Sequence, residues 1–93
     1  MLTHVVLFRF ADLSVAADAR DRLLALRGQI PSLKELEAGV DITRSERSFD
    51  LALITRFDDA AGLQAYAEHP VHLEALAWLR SVATQVVAVD FVD

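Results

Sequence analysis

A chain of 93 residues, 54% hydrophobic and 25% charged, with a mean hydropathy of +0.31, has room for one modest core and lacks the character of a disordered segment. With no cysteine, disulfides, iron–sulfur clusters, thiolate zinc sites and cysteine nucleophiles are all excluded, so any chemistry falls to His, carboxylates and Tyr. A net charge of −5, with Lys34 the only lysine, argues against a nucleic-acid partner, and no apolar run reaches the roughly 18 residues of a membrane span.

The start, Met1-Leu2-Thr3-His4, carries no basic segment and no long apolar stretch, so a cytoplasmic address is expected. A strand follows from His4 to Phe10, with His4, Val6, Phe8 and Phe10 on one face and Val5, Leu7 and Arg9 on the other. Asp12 and Ser14 can cap a helix whose apolar positions Val15, Ala19, Leu23, Leu26 and Ile30 step by three or four, ending near Gly28 and Pro31. Lys34 to Thr43 alternates as a second strand, Leu36, Ala38, Val40 and Ile42 sharing a side. Arg44 to Phe49 reads as a hairpin connection, and Asp50 to Phe57 as the returning strand.

Asp58 and Asp59 can cap a helix from Ala60 through Tyr66 that Pro70 interrupts. Proline is well suited to the first turn of a new helix, expected over Val71 to Thr84 with Leu73, Leu76, Leu79 and Ala83 inward and Arg80 outward. Val86 to Val92 is the last strand. The order β-α-β-β-α-β, with its second helix broken, defines an α+β ferredoxin-like sandwich on a four-stranded antiparallel sheet, a single domain over residues 1–93. Helices cover only one face of such a sheet, yet the first, third and fourth strands are apolar on both. The second face therefore needs a partner, most economically another copy in a two-fold dimer.

His4, Tyr66, His69, His72 and Asp90 stand out as polar residues in apolar elements. Taken singly, His4 reads as a hydrogen-bonded core histidine, Tyr66 as core filler, His69 as a helix-start residue and Asp90 as an edge charge that discourages aggregation. Together with its surroundings, the segment Tyr66-Ala67-Glu68-His69-Pro70-Val71-His72 resembles the stress-responsive A/B barrel (Dabb) domain family. The likeness runs through His4-Val5-Val6-Leu7-Phe8, Leu36-Glu37-Ala38-Gly39-Val40, Asp50-Leu51-Ala52-Leu53 and the Val89-Asp90 finish.

The resemblance implies a protomer that pairs through its sheet into a dimeric α/β barrel. It further implies, from a plant polyketide cyclase of the family, an aldol-type reaction without metal or cofactor. Carried over residue by residue, His72 becomes the general base, Tyr66 the donor to the carbonyl oxygen, Asp90 the residue that orients His72, and His4 a pocket wall. A neutral imidazole can remove a proton next to a carbonyl while a phenol stabilises the enolate. Phe8, Leu53, Trp78 and His69 complete the expected lining of a site for a small apolar or aromatic ligand. A metal at His69 and His72 is disfavoured because Pro70 breaks the helix between them and no carboxylate pair lies nearby. Haem lacks a basic cluster for its propionates, and the third strand carries Leu51, Leu53 and Thr55 where an RNA-binding sheet needs aromatics. The alternative to catalysis is a stress-related dimer in which the same Tyr, His and Asp residues form a structural network.

Overall fold

The computed structural model describes Met1–Asp93 as four strands and three helices: β1 (Leu2–Phe10), α1 (Ala16–Leu24), β2 (Glu35–Val40), β3 (Leu51–Phe57), α2 (Ala60–Glu68), α3 (Pro70–Val82) and β4 (Ala83–Val92). The strands form one antiparallel sheet in the order β2-β3-β1-β4, the ferredoxin-like arrangement expected from the sequence. Register fixes the two faces, because residues directly opposite in an antiparallel pair share a side. His4 lies opposite Thr55 and Asp90, and Val6 opposite Leu53 and Ala88, so these residues face the helices. Val5, Leu7, Ile54, Val87, Val89 and Phe91 take the other face, which no element of the chain covers.

The core lies between the sheet and the helices, and it is tightest over β3, where Leu51, Thr55 and Phe57 are almost wholly buried. Phe57 packs against Tyr66 with ring centroids 5.1 Å apart, joining α2 to the sheet. Burying one such ring contributes roughly 1.5–3 kcal/mol. At the other end of β3, Asp50 accepts the Phe10 N–H at 2.8 Å and the Arg44 guanidinium at 2.7 Å. Burial works to raise the Asp50 carboxyl, but these two donors outweigh it and hold it below the usual carboxylate range.

Several boundaries differ from the sequence expectation, each for a local reason. The first helix stops at Leu24, but successive three-residue turns carry the chain on, Leu26 N–H to Leu23 and Gln29 N–H to Leu26, so Leu26 and Ile30 still reach the core. Gly28 supplies the left-handed turn at φ +77°. β2 ends at Val40 because Asp41 and Asp50 both bind Arg44, itself left-handed at φ +55°, and swing the chain off the sheet. Ile42 is consequently 94% exposed rather than inward-facing. α3 ends at Val82 and runs into β4 without a loop: Ala83 is already extended and pairs with Phe10, leaving Thr84 as a bulge. Leu73 is 50% exposed, since the face of α3 toward the sheet runs through positions 72, 75, 76 and 79 and leaves 73 to one side.

Candidate functional site

The break between α2 and α3 builds the centre of the site. Asp59 starts α2 by accepting the Gly62 N–H at 2.9 Å. The residue before a proline avoids the helical region, so His69 is extended at ψ 135° and α2 stops at Glu68. Pro70 then opens α3, and His69 Nδ1 caps it by accepting the Val71 N–H at 3.1 Å. In a continuous helix that Val71 N–H would go to the Ala67 carbonyl. Freed of it, the Ala67 carbonyl accepts from His72 Nδ1 at 2.9 Å. A carbonyl only accepts, so the proton of the neutral ring sits on Nδ1 and Nε2 carries the lone pair.

His72 packs against Tyr66 with ring centroids 4.3 Å apart and planes tilted by 45°, and both border an apolar cavity of about 200 Å³ between sheet and helices. Its walls come from Val6, Phe8 and Leu53 on the sheet, Ala75, Leu76 and Leu79 on α3, and Val86 and Ala88 on β4. Tyr66 is 1% exposed, and no protein group hydrogen-bonds its hydroxyl. The hydroxyl is nevertheless not sealed off: Ser32 Oγ alone is a fully enclosed side-chain polar atom without a partner. Burial pushes the Tyr66 phenol up to about 12, so it remains a neutral donor across the physiological range. Burial likewise pushes the His72 imidazole below its ordinary value; the Ala67 carbonyl opposes this, and the charges of His4 and Arg80 add to it. The ring is thus an uncharged acceptor at neutral pH.

Three expected assignments change. Asp90 binds His4 Nδ1 rather than His72, because the β1–β4 register sets Asp90 directly opposite His4 on the inner face. The residue that orients His72 is the Ala67 main chain. His69 does not line the cavity, since its ring is used as the α3 cap. Trp78 is also absent from the lining: it lies on the α1 side of α3, with the Arg22 guanidinium 3.9 Å above its ring. His4, Phe8, Leu53, Tyr66 and His72 do converge. Leu76 and Leu79 also line the cavity, as helical spacing from His72 allows, and the Ala67 carbonyl holds His72 with no side-chain signal in the sequence to mark it. No three His, Asp or Glu side chains come together in a way that could hold a metal ion.

The fold and this cavity define a class, the ferredoxin-like proteins with a pocket between one face of the sheet and its helices. Residues 2–93 match the model of the stress responsive A/B barrel domain, and the chain belongs to that family. It is 37% identical to an uncharacterized protein of Streptomyces coelicolor, over 95% of this chain and 96% of the relative. Among solved structures it is similar to a dimeric ferredoxin-like protein of unknown function from Thermobifida fusca, at 30% identity and a TM-score of 0.87, covering 99% of this chain and 90% of that one. A dimeric protein of unknown function and ferredoxin-like fold from Bacteroides fragilis aligns at 27% identity and a TM-score of 0.86, over 97% and 93% of the two chains. No helix is long and apolar enough to cross a membrane.

Proposed function

We propose that this protein binds a compact, largely apolar carbonyl compound in the cavity beneath α3 and converts it to its enolate, using its own side chains as base and acid, as a cyclase or isomerase would. His72 Nε2 takes the proton next to the carbonyl, and the Tyr66 hydroxyl donates to the oxygen as negative charge develops there. The observation that carries this reading is that both groups border the cavity without a protein partner for the atoms that would react. In a purely structural network those atoms would be bonded to one another or to the main chain. A cavity of about 200 Å³ limits the occupant to about one ring with small substituents, since roughly 150 Å³ accommodates benzene.

The protein works as a cytoplasmic homodimer, its uncovered sheet faces packed together. The apolar stripe of Val5, Leu7, Ile54, Val87, Val89 and Phe91 supports that assembly, as do the dimeric structures it resembles. A Val89→Lys substitution places a charge in this stripe and should leave a monomer in sedimentation analysis. A Val89→Lys chain that sediments as a dimer would rule out the sheet face as the interface.

Thermal-shift screening of wild type and His72→Gln against aromatic acids, pyrones and β-keto acid analogues tests the site. A ligand at ten times its Kd adds about 1.4 kcal/mol, which moves Tm by roughly 6–11 °C in a domain of this size. The expected result is a stabilising compound class in wild type whose effect disappears in His72→Gln. If no compound stabilises wild type and His72→Gln melts far lower by itself, the histidine is structural and the catalytic reading fails.

A further inference from the structure

The His4–Asp90 pair has no part in the reaction just described, yet His4 borders the same cavity as His72. The two imidazoles come from opposite walls, His4 from β1 on the sheet and His72 from α3 on the helical layer. The Asp90 carboxylate accepts the proton of His4 Nδ1, which leaves Nε2 as the nitrogen available to a ligand. Exposure differs within the pair: the His4 side chain is 19% exposed and Asp90 48%, so the pair reaches from the cavity wall to bulk water. That is the arrangement of a group that exchanges protons with solvent and delivers them inward.

We propose that His4, positioned by Asp90, is a second catalytic residue that donates a proton to a departing oxygen, so that the substrates are β-hydroxy carbonyl compounds and the reaction is loss of water. The proposal rests on His72 acting as the base. His72 Nε2 takes the α-hydrogen as a proton, and the C–H electron pair becomes the new C=C bond. The β-carbon to oxygen bond breaks with its electrons on oxygen, which takes the Nε2 proton of His4 in its imidazolium form, the Nδ1 proton staying in its hydrogen bond to Asp90, and leaves as water. The Tyr66 hydroxyl holds the carbonyl oxygen throughout. One proton enters the protein at His72 and one leaves at His4, and exchange with water through the exposed pair restores both. A positive charge on His4 disfavours a second one on His72, which keeps the two roles on separate residues.

Two readouts on one probe separate this inference from the function it builds on. With 3-hydroxycyclohexanone, one ring with a small substituent, in D2O, α-proton exchange followed by NMR reports the base, and the ultraviolet absorbance of the enone reports elimination. Wild type should do both. His4→Asn should lower enone formation by about 100-fold more than it lowers α-exchange. Asp90→Asn, a change at an exposed residue that preserves shape, should lower enone formation by about tenfold more than it lowers α-exchange. Should His4→Asn fail to fold, the same split in Asp90→Asn decides the matter. The inference is overturned if the two rates fall together in these variants, if elimination is unchanged, or if wild type exchanges α-protons without forming enone. A wild type that exchanges no α-protons instead removes the role of His72, and with it the ground for this step.

Discussion

The helix-facing side of the sheet is divided into two regions built differently from the same kinds of residue. Over β3, which packs against α1 and α2, Leu51, Thr55 and Phe57 are sealed, while over β4, Val86 and Ala88 stand exposed at the margin of the cavity. The sealed half concentrates the packing that holds the domain together. The open half can therefore leave a phenol and an imidazole with unused hydrogen-bonding capacity, which a close-packed core does not tolerate. Stability and reactivity are divided between neighbouring strands.

The contrast is most severely tested by truncation on each side. Phe57→Ala should destabilise the fold by about 3–5 kcal/mol in urea denaturation, because it empties the space beside Tyr66. Val86→Ala on the open half should cost less than about 1 kcal/mol, and equal losses at the two positions would erase the distinction. Next in size, Tyr66→Phe should lower the enolisation rate by roughly 100-fold, comparable to removing an oxyanion donor. Stability should change by less than about 1 kcal/mol, since the hydroxyl has no protein bond to lose. A large loss of stability would move Tyr66 to the structural half.

His69→Ala removes the α3 cap and should cost about 1 kcal/mol, with ligand-induced thermal shifts retained. Loss of those shifts would return His69 to the site. The smallest effect is a pH dependence. Burial depresses the His72 pKa below its ordinary 6.5, so the unfolded chain takes up that proton before the folded one does. The contribution of neutral His72 is complete above pH 6.5 and declines as pH falls from there through the lower folded value. Urea midpoints measured between pH 7.5 and 5.5 should fall more in wild type than in His72→Gln. The corresponding loss at Asp50, whose folded pKa is also depressed, comes only below the usual carboxylate value of 3.8 and leaves this window clear.

Alternation and helical spacing made the sheet order and both layers legible in the sequence, since β1 and β3 carry their burial pattern on their face. Where the structure departs from local pattern, interactions with residues elsewhere in the chain overrule it. Ile42 continues the alternation of β2, but Asp50, eight positions on, captures Arg44 and turns the chain away. Ala83 fits the helical stripe, but Phe10 draws it into the sheet. The site divided in the same manner. Phe8 and Leu53 are legible from the alternation of their strands, whereas Tyr66, His72 and His4 follow from the family resemblance, Tyr66 and His4 taken singly reading as core residues. The partner of Asp90 is not legible, because it depends on the register of β4 against β1, and Trp78 was misplaced because its side of α3 is set by α1.

The carbonyl that fixes His72 belongs to the backbone, which bears on how the site can drift over evolutionary time. Position 67 can accept different side chains without losing the contact, so neutral change there is inexpensive. The vulnerability is moved to Pro70, whose replacement by an ordinary helix former would let a continuous ladder reclaim the Ala67 oxygen and release the imidazole. A site anchored in this way is robust to substitution at the residue that does the holding and fragile at one that touches nothing reactive.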